Sequence, residues 1–282
     1  MNSVLLAHRR LTNIVMLTLT AVCTALVLAV LFFILGYITY NGFAALDWDF
    51  FTRLPKPVGE TGGGMANAIV GTVKLLLLAS LIGVPIGFLG GVYLSEYGRK
   101  NTAGFLIRYA ADILNGIPSI VMGIFAYTVV VLPMGHFSTL AGGVALGIMM
   151  IPIAVRSSEE FLKLVPASIR EAGLALGLTE WKVVSFIVIP TAFRGIVTGI
   201  MLDLARVAGE TAPLLFTAFS NRFWSRGWLE PIASLPVMIY TYAIAPYDDW
   251  HRQAWAAGMV LLMLVLGANI LSRLLLHRQL KG

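Results

Sequence analysis

The chain has 282 residues, 58% of them hydrophobic and only 12% charged, with a mean hydropathy of +0.85 and a formal net charge of +6. Soluble domains carry roughly a quarter charged residues, so this composition excludes an ordinary soluble fold and points to several membrane spans. Cys23 is the only cysteine, and His8, His136, His251 and His277 lack ligand spacing, which excludes a disulfide framework or a cysteine-based metal site.

The first uncharged run, 14–38, has a basic flank and is too long for a signal-peptide core, so it reads as a retained span. Gly62-Gly63-Gly64 follows, and then a second run at 75–94 whose glycines between 83 and 91 suit close helix packing in lipid. The long run 113–155 breaks at 132–136 (Leu-Pro-Met-Gly-His), giving two spans joined by a tight turn. A polar, basic stretch at 157–190 comes next. The fifth span, 195–219, is interrupted by Asp203, Arg206 and Glu210. Residues 221–250 form a loop with Phe223, Trp224, Trp228, Pro231 and Pro236, and its apolar stretch 235–245 is too short to cross, so it reads as interfacial or re-entrant. The sixth span is 254–272. Only helices or closed barrels satisfy their backbone in lipid, so the expected fold is an all-α integral membrane protein with six transmembrane helices. Residues 1–282 read as a single domain.

The positive charge is unevenly placed. With the N-terminus inside, the inner segments hold Arg9, Arg10, Arg99, Lys100, Arg108, Arg156, Lys163, Arg170, Lys182, Arg194, Arg273, Arg278 and Lys281. The outer loops hold Arg53, Lys56, Arg222, Arg226 and Arg252. Thirteen against five sets both termini, and the 157–190 stretch, in the cytoplasm. A basic patch for nucleic acid is not what this distribution describes.

The 157–190 stretch reads as a helical elbow. Pro166 and Ser168 open it, and Ser168 with Glu171 has the spacing of a capping box. Ile169, Ala172, Ala175 and Leu176 share one side of a short helix, and Gly177 is a natural left-handed stop. Thr179 can cap a second helix with Trp181, Val184 and Val188 on its apolar side. Glu171-Ala172-Gly173, three residues, Gly177, nine residues and Ile187-Val188-Ile189-Pro190 resemble the Glu-Ala-Ala-x3-Gly-x9-Ile-x-Leu-Pro signature of bacterial ABC-importer permeases. Gly173 and Ile189 depart from it. The resemblance implies that Ser168, Glu171, Ala172, Gly173 and Gly177 belong to a cytoplasmic coupling helix that slots into a separate ATPase subunit. The chain has no Gly-x4-Gly-Lys-Ser/Thr loop, so it is not expected to be an enzyme, and ATP would be bound by partner subunits.

Asp203, Arg206 and Glu210 lie at i, i+3 and i+7, one face of a helix, with Arg206 near mid-span. Each such charge costs about 2.5–3.5 kcal/mol at a helix centre, so the face looks into the bundle, a partner or a wet pathway. One reading is an internal ion-pair relay that holds helices together. The other is a point on an anion's route, where the planar Arg206 fork, oriented or gated by Glu210, would meet a tetrahedral oxyanion with two parallel hydrogen bonds.

The run from Asp203 to Ala218, with Gly62-Gly-Gly64, Asn67-Ala-Ile69, Tyr93-Leu-Ser-Glu96-Tyr-Gly98-Arg-Lys100 and Pro118-Ser-Ile-Val121-x-Gly123, resembles PstA-type permeases of phosphate-specific importers. The resemblance covers the chain from about residue 8 onward. It implies inorganic phosphate as cargo, a second related permease (PstC type), two ATPase subunits (PstB type) and a periplasmic phosphate-binding protein (PstS type). It also implies a multi-pass protein of the bacterial inner membrane, in contact with membrane lipid and without nucleic acid. Arg206 matches an arginine implicated in phosphate passage, whereas Asp203 replaces a small or apolar residue. The competing readings are a permease for another oxyanion and a secondary transporter or channel using Asp203, Arg206 and Glu210 as a proton relay. Pro85, Pro118 and Pro152 read as kinks or hinges, and Glu96, Asp112 and Arg99-Lys100 as solvated charges at span ends.

Overall fold

The computed structural model describes residues 3–99 and 101–278, with side chains for 8–99 and 101–274. Lys100 and Lys281 lie outside the described residues. Helix α1, Ser3–Ala45, precedes a short α2, Trp48–Thr52. Helix α3, Ala66–Val92, ends in a π-helical turn, Tyr93–Tyr97. Helix α4, Thr102–Gly116, is followed by α5, Ser119–Ala126, which continues through a π-helical turn into α6, Leu132–Met134. Helix α7 is Thr139–Lys163. The elbow holds α8, Ala167–Ala175, and α9, Glu180–Val183, and the latter runs through a π-helical turn into α10, Ile189–Ala208. Helices α11, Ala212–Thr217, α12, Leu235–Ala243, and α13, Asp248–Arg278, complete the chain.

Among the described residues five of these stretches are long and apolar enough to cross a membrane, and the pair 102–116 and 119–134, bent by 104°, makes a sixth when counted as one broken span. The bend falls at Ile117-Pro118, because proline cannot donate to the preceding turn and pushes the residue before it out of the α region. The third expected span is therefore broken, while Pro85 and Pro152 sit inside continuous helices. The fifth span also differs from expectation. It runs from 180 to 208, not 195–219, because Gly209 closes α10 and Pro213 starts a separate α11. Polar residues at 180–194 hide the start of this crossing from a hydropathy reading.

Helices α3 and α7 form the centre. Their glycines let backbones meet without a side chain between them: a β-carbon at Gly83 would stand 2.6 Å from Met150 Cβ. Helix α10 packs on this pair, α13 packs on α10, and α1 leans on α13 with Tyr37 edge-on to Trp255 at 5.2 Å. The short α12 is packed into the bundle: Leu235, Val237 and Met238 are buried, and the helix lies on α3 and α13. Gly62 and Gly63, both at positive φ, turn the 53–65 loop back so that Asp249 accepts the Gly62 amide at 3.3 Å. Lys74 reaches out of α3 to the Ser225 carbonyl at 3.2 Å, with Trp228 beneath its ammonium group. Phe223, Trp224 and Trp228 are exposed.

Candidate functional site

The elbow stands at the end of the bundle where α3 and α7 finish and α4 and α10 begin. Helix α7 continues through 157–163, and the chain then turns at Leu164-Val165-Pro166. Pro166 occupies the cap of α8 and Ser168 is already its second residue, so the expected Ser168–Glu171 capping box is not formed. Proline's fixed φ starts the helix before Ser168 could serve as its cap. At the far end the expectation holds. Gly177 has φ +81°, its amide donates to Leu174 O at 2.9 Å, and the Leu178 amide donates to Gly173 O at 3.3 Å. These two bonds make a Schellman stop. Thr179 occupies the cap position of α9 without a side-chain bond.

Beneath the elbow lies a core of Leu162, Val165, Val183, Val188, Ala192 and Ile196, onto which Ile169 and Leu178 pack. Gly173 is buried against Val183 and Ile187. The expected apolar side is therefore split: Ile169 faces inward, whereas Ala172, Ala175 and Leu176 are exposed, Leu176 at 82%. Trp181, expected on an apolar side, is also exposed, while Val184 and Val188 are buried. Glu171 and Ser168 are exposed on the same projecting helix. The elbow thus presents bare apolar side chains ringed by polar ones.

Arg206 lies in the last turn of α10, not mid-span, where the negative end of the helix dipole favours a cation. Glu210 is beyond the helix, carried back by a tight turn in which its amide donates to Val207 O at 3.1 Å. The one-face expectation therefore fails for Glu210, although the fold still brings it and Arg206 to one small cavity. Leu114, Asn115, Met122 and Met149 also line it, and its volume is about 20 Å³, room for a single water. Arg206 itself is exposed on the open side.

Asp203 lies one turn before Arg206 on α10. It is 2% exposed and neither carboxylate oxygen has a hydrogen-bond partner. It shares the face of Gly199, where a β-carbon would lie 2.6 Å from Ser157 Oγ of α7. Among the described residues Asp203, Arg206 and Glu210 make no ion pair, so the reading as an internal ion-pair relay has no pairing behind it. No group of three or more His, Cys, Asp or Glu converges among the described residues either.

The ion pairs are elsewhere, and the sequence reading missed them. Arg108 of α4 and Lys163 donate to Glu159 Oε1 at 2.7 and 2.6 Å, and Arg156 bridges Glu159 and Asp112. Arg170 of α8 holds Glu96 with two bonds of 2.9 and 3.0 Å. Glu96 and Asp112 are thus paired, not merely solvated. A signal was present: Arg156, Glu159 and Lys163 have i, i+3, i+7 spacing. It lies just past the apolar run, which ends at 155.

The description "binding-protein-dependent transport system inner membrane component" matches residues 83–281. The phosphate transport system permease protein PstA of Yersinia pestis is 44% identical over 273 residues, covering 97% of this chain and 92% of that protein. The chain belongs to that family, in its PstA-type branch. PstA of Haemophilus influenzae is also 44% identical, covering 94% of both chains. A probable PstA from Methanocaldococcus jannaschii is 35% identical over 97% of this chain and 96% of its own. Among solved structures, the inward-facing MetNI methionine ABC transporter aligns with a TM-score of 0.60 at 19% identity, over 76% of this chain and 96% of its own. An amino acid ABC transporter crystallised with histidines aligns at 0.57 and 18%, over 76% and 92%. The fold is that of these importer permeases. As a PstA-type member, the chain is a multi-pass inner-membrane permease subunit.

Proposed function

We propose that this chain is the permease subunit of an ATP-driven importer that carries inorganic phosphate inward by alternating access. The observation that carries the reading is the elbow: a projecting helix with exposed Ala172, Ala175 and Leu176, backed by a buried core and stopped by Gly177. It is a surface ready for a groove on another polypeptide. The partners are an ATPase pair of PstB type, a second permease of PstC type and a phosphate-binding protein of PstS type. Residues 1–282 act as one permease domain, with 157–190 as its coupling elbow. Both termini lie with the elbow in the cytoplasm, in keeping with the positive-inside rule.

Arg206 is the anion contact on the route. Its guanidinium is exposed and unpaired among the described residues, and its fork suits a tetrahedral oxyanion. The adjoining cavity has no room for one, so the ion would pass on the open side of α10, against the partner permease. Glu210 tunes that site by repulsion of an approaching anion. Reconstitution with the three partner types in vesicles tests the whole reading. ATP-dependent accumulation of phosphate is expected, and its absence from a fully assembled complex would reject it.

A further inference from the structure

Two arginines cross-brace the elbow end of α3 and α7. Arg108 holds Glu159 of α7 while its other nitrogens take the Leu94 and Gly98 carbonyls at the end of α3, at 2.9 and 3.2 Å. Arg170 does the converse. It holds Glu96 at the end of α3, while its terminal nitrogens take the Leu162 and Val165 carbonyls at the end of α7, the former at 2.8 Å. Its side chain and that of Glu96 are only 16% and 8% exposed. Ser95 adds a hydroxyl donor to Glu96 at 2.8 Å.

The brace bears on how a push on the elbow would spread. A three-residue turn ties α8 to α7, but α3 lies far away in sequence. The core beneath the elbow also touches α3, through Phe88 and Val92. Such apolar contacts are non-directional, whereas a buried two-pronged pair fixes distance and angle. It is also weakly screened by salt. Helix α3 ends there in a π-helical turn, a feature common at functional positions.

We propose that Arg170–Glu96 is the joint that carries elbow displacement into α3 together with α7, so that the central pair moves as one body. Glu96 and Arg170 are then positioning residues for transport, lying behind the ATPase-docking surface and not in it. This rests on the elbow reading above.

The test uses the full complex in vesicles, with Glu96→Gln and Arg170→Lys as shape-conserving variants and Leu176→Asp on the elbow surface. Bound ATPase subunit, ATP hydrolysis and phosphate uptake are measured per assembled complex. The joint variants should keep the ATPase subunit and hydrolysis but lose at least about fivefold in phosphate moved per ATP, the low end of coupling between sites. An unchanged ratio in both would overturn the joint and leave a structural staple. Loss of the ATPase subunit from them would also overturn it, by placing the pair in the docking surface. Leu176→Asp is the separate arm: it should shed the ATPase subunit. If it keeps both subunit and uptake, the elbow reading itself falls.

Discussion

Arg108 of α4 donates from Nε to Glu159 Oε1 of α7 at 2.7 Å, across 51 positions of sequence. Glu159 is 1% exposed and also receives Lys163 and Arg156, so one carboxylate serves three cations. Removing it leaves Arg108 partly buried with its charge uncompensated. Breaking a buried pair from one side costs about 3–5 kcal/mol. Lys163 is nearly half exposed, so the lower figure is expected for Glu159→Ala. Thermal unfolding in detergent should show a clear drop; a variant melting with the wild type would remove the cluster from the account of stability.

Gly177 and Gly173 sit four residues apart and should answer differently to substitution. Gly177 has φ +81° with open space around it, so Gly177→Asp costs about 1–2 kcal/mol of backbone strain and charges the elbow tip. Transport should be uncoupled from ATP hydrolysis while the protein still inserts. Gly173 is helical, and alanine there regains about 1 kcal/mol of propensity. Its new β-carbon would lie 2.9 Å from Ile187 Cδ1 and 3.0 Å from Val183 Cγ2, which must yield slightly. Gly173→Ala should be near neutral, and Gly173→Leu should not. Equal behaviour of Gly177→Asp and Gly173→Ala in uptake assays would contradict this assignment.

Much of this was readable in the sequence, and the misses share a cause. Hydropathy found the membrane crossings because burial in lipid is a bulk property, and the Gly177 stop because only glycine enters that conformation at little cost. It placed the fifth span fifteen residues late at its start, since Lys182, Ser185 and Arg194 look like loop yet face outward on one helix. The capping box failed because two good local signals, Pro166 and Ser168, competed for one helix start. The cross-brace depends on which distant residues meet, and spacing alone does not encode that.

Orientation can be read by single-cysteine labelling on a Cys23→Ser background. Positions 60 and 226 lie on the end opposite the elbow, and 164 and 176 on the elbow end. Impermeant maleimide added outside intact cells should label the first two and spare the others. Labelling of residue 176 from outside would invert the topology and remove the elbow from any cytoplasmic ATPase.

Asp203 carries two buried oxygens without partners, a destabilising arrangement wherever no function requires it. Asp203→Asn loses the charge, and Asp203→Leu loses every polar atom. Asp203→Leu should unfold at higher temperature, gaining about 1–3 kcal/mol on the scale of an unsatisfied buried group, and Asp203→Asn should gain less, because its amide stays without partners. If either variant transports normally, Asp203 lies outside the phosphate route. A variant with lower stability would show instead that the carboxylate has a partner in the assembled complex.

Arg206 divides the two remaining readings of the α10 terminus. A stabilising role would come from the helix dipole, worth about 0.3–1 kcal/mol at an exposed site. Arg206→Gln should then lower stability slightly and leave uptake intact. On the pathway reading the charge itself meets the anion, so Arg206→Gln should abolish uptake while assembly and basal ATP hydrolysis persist. Arg206→Lys should recover only part, because a point charge does not reproduce the planar fork. The structure weakens the staple, since no carboxylate lies within ion-pair distance of Arg206 among the described residues. Glu210 lines the small cavity beside Arg206, so its removal should raise apparent phosphate affinity if its charge repels an anion approaching Arg206 on the open side of α10. Vesicle uptake measured per assembled complex decides between them. Wild-type rates from well-assembled Arg206→Gln would sink the pathway role and leave only the dipole.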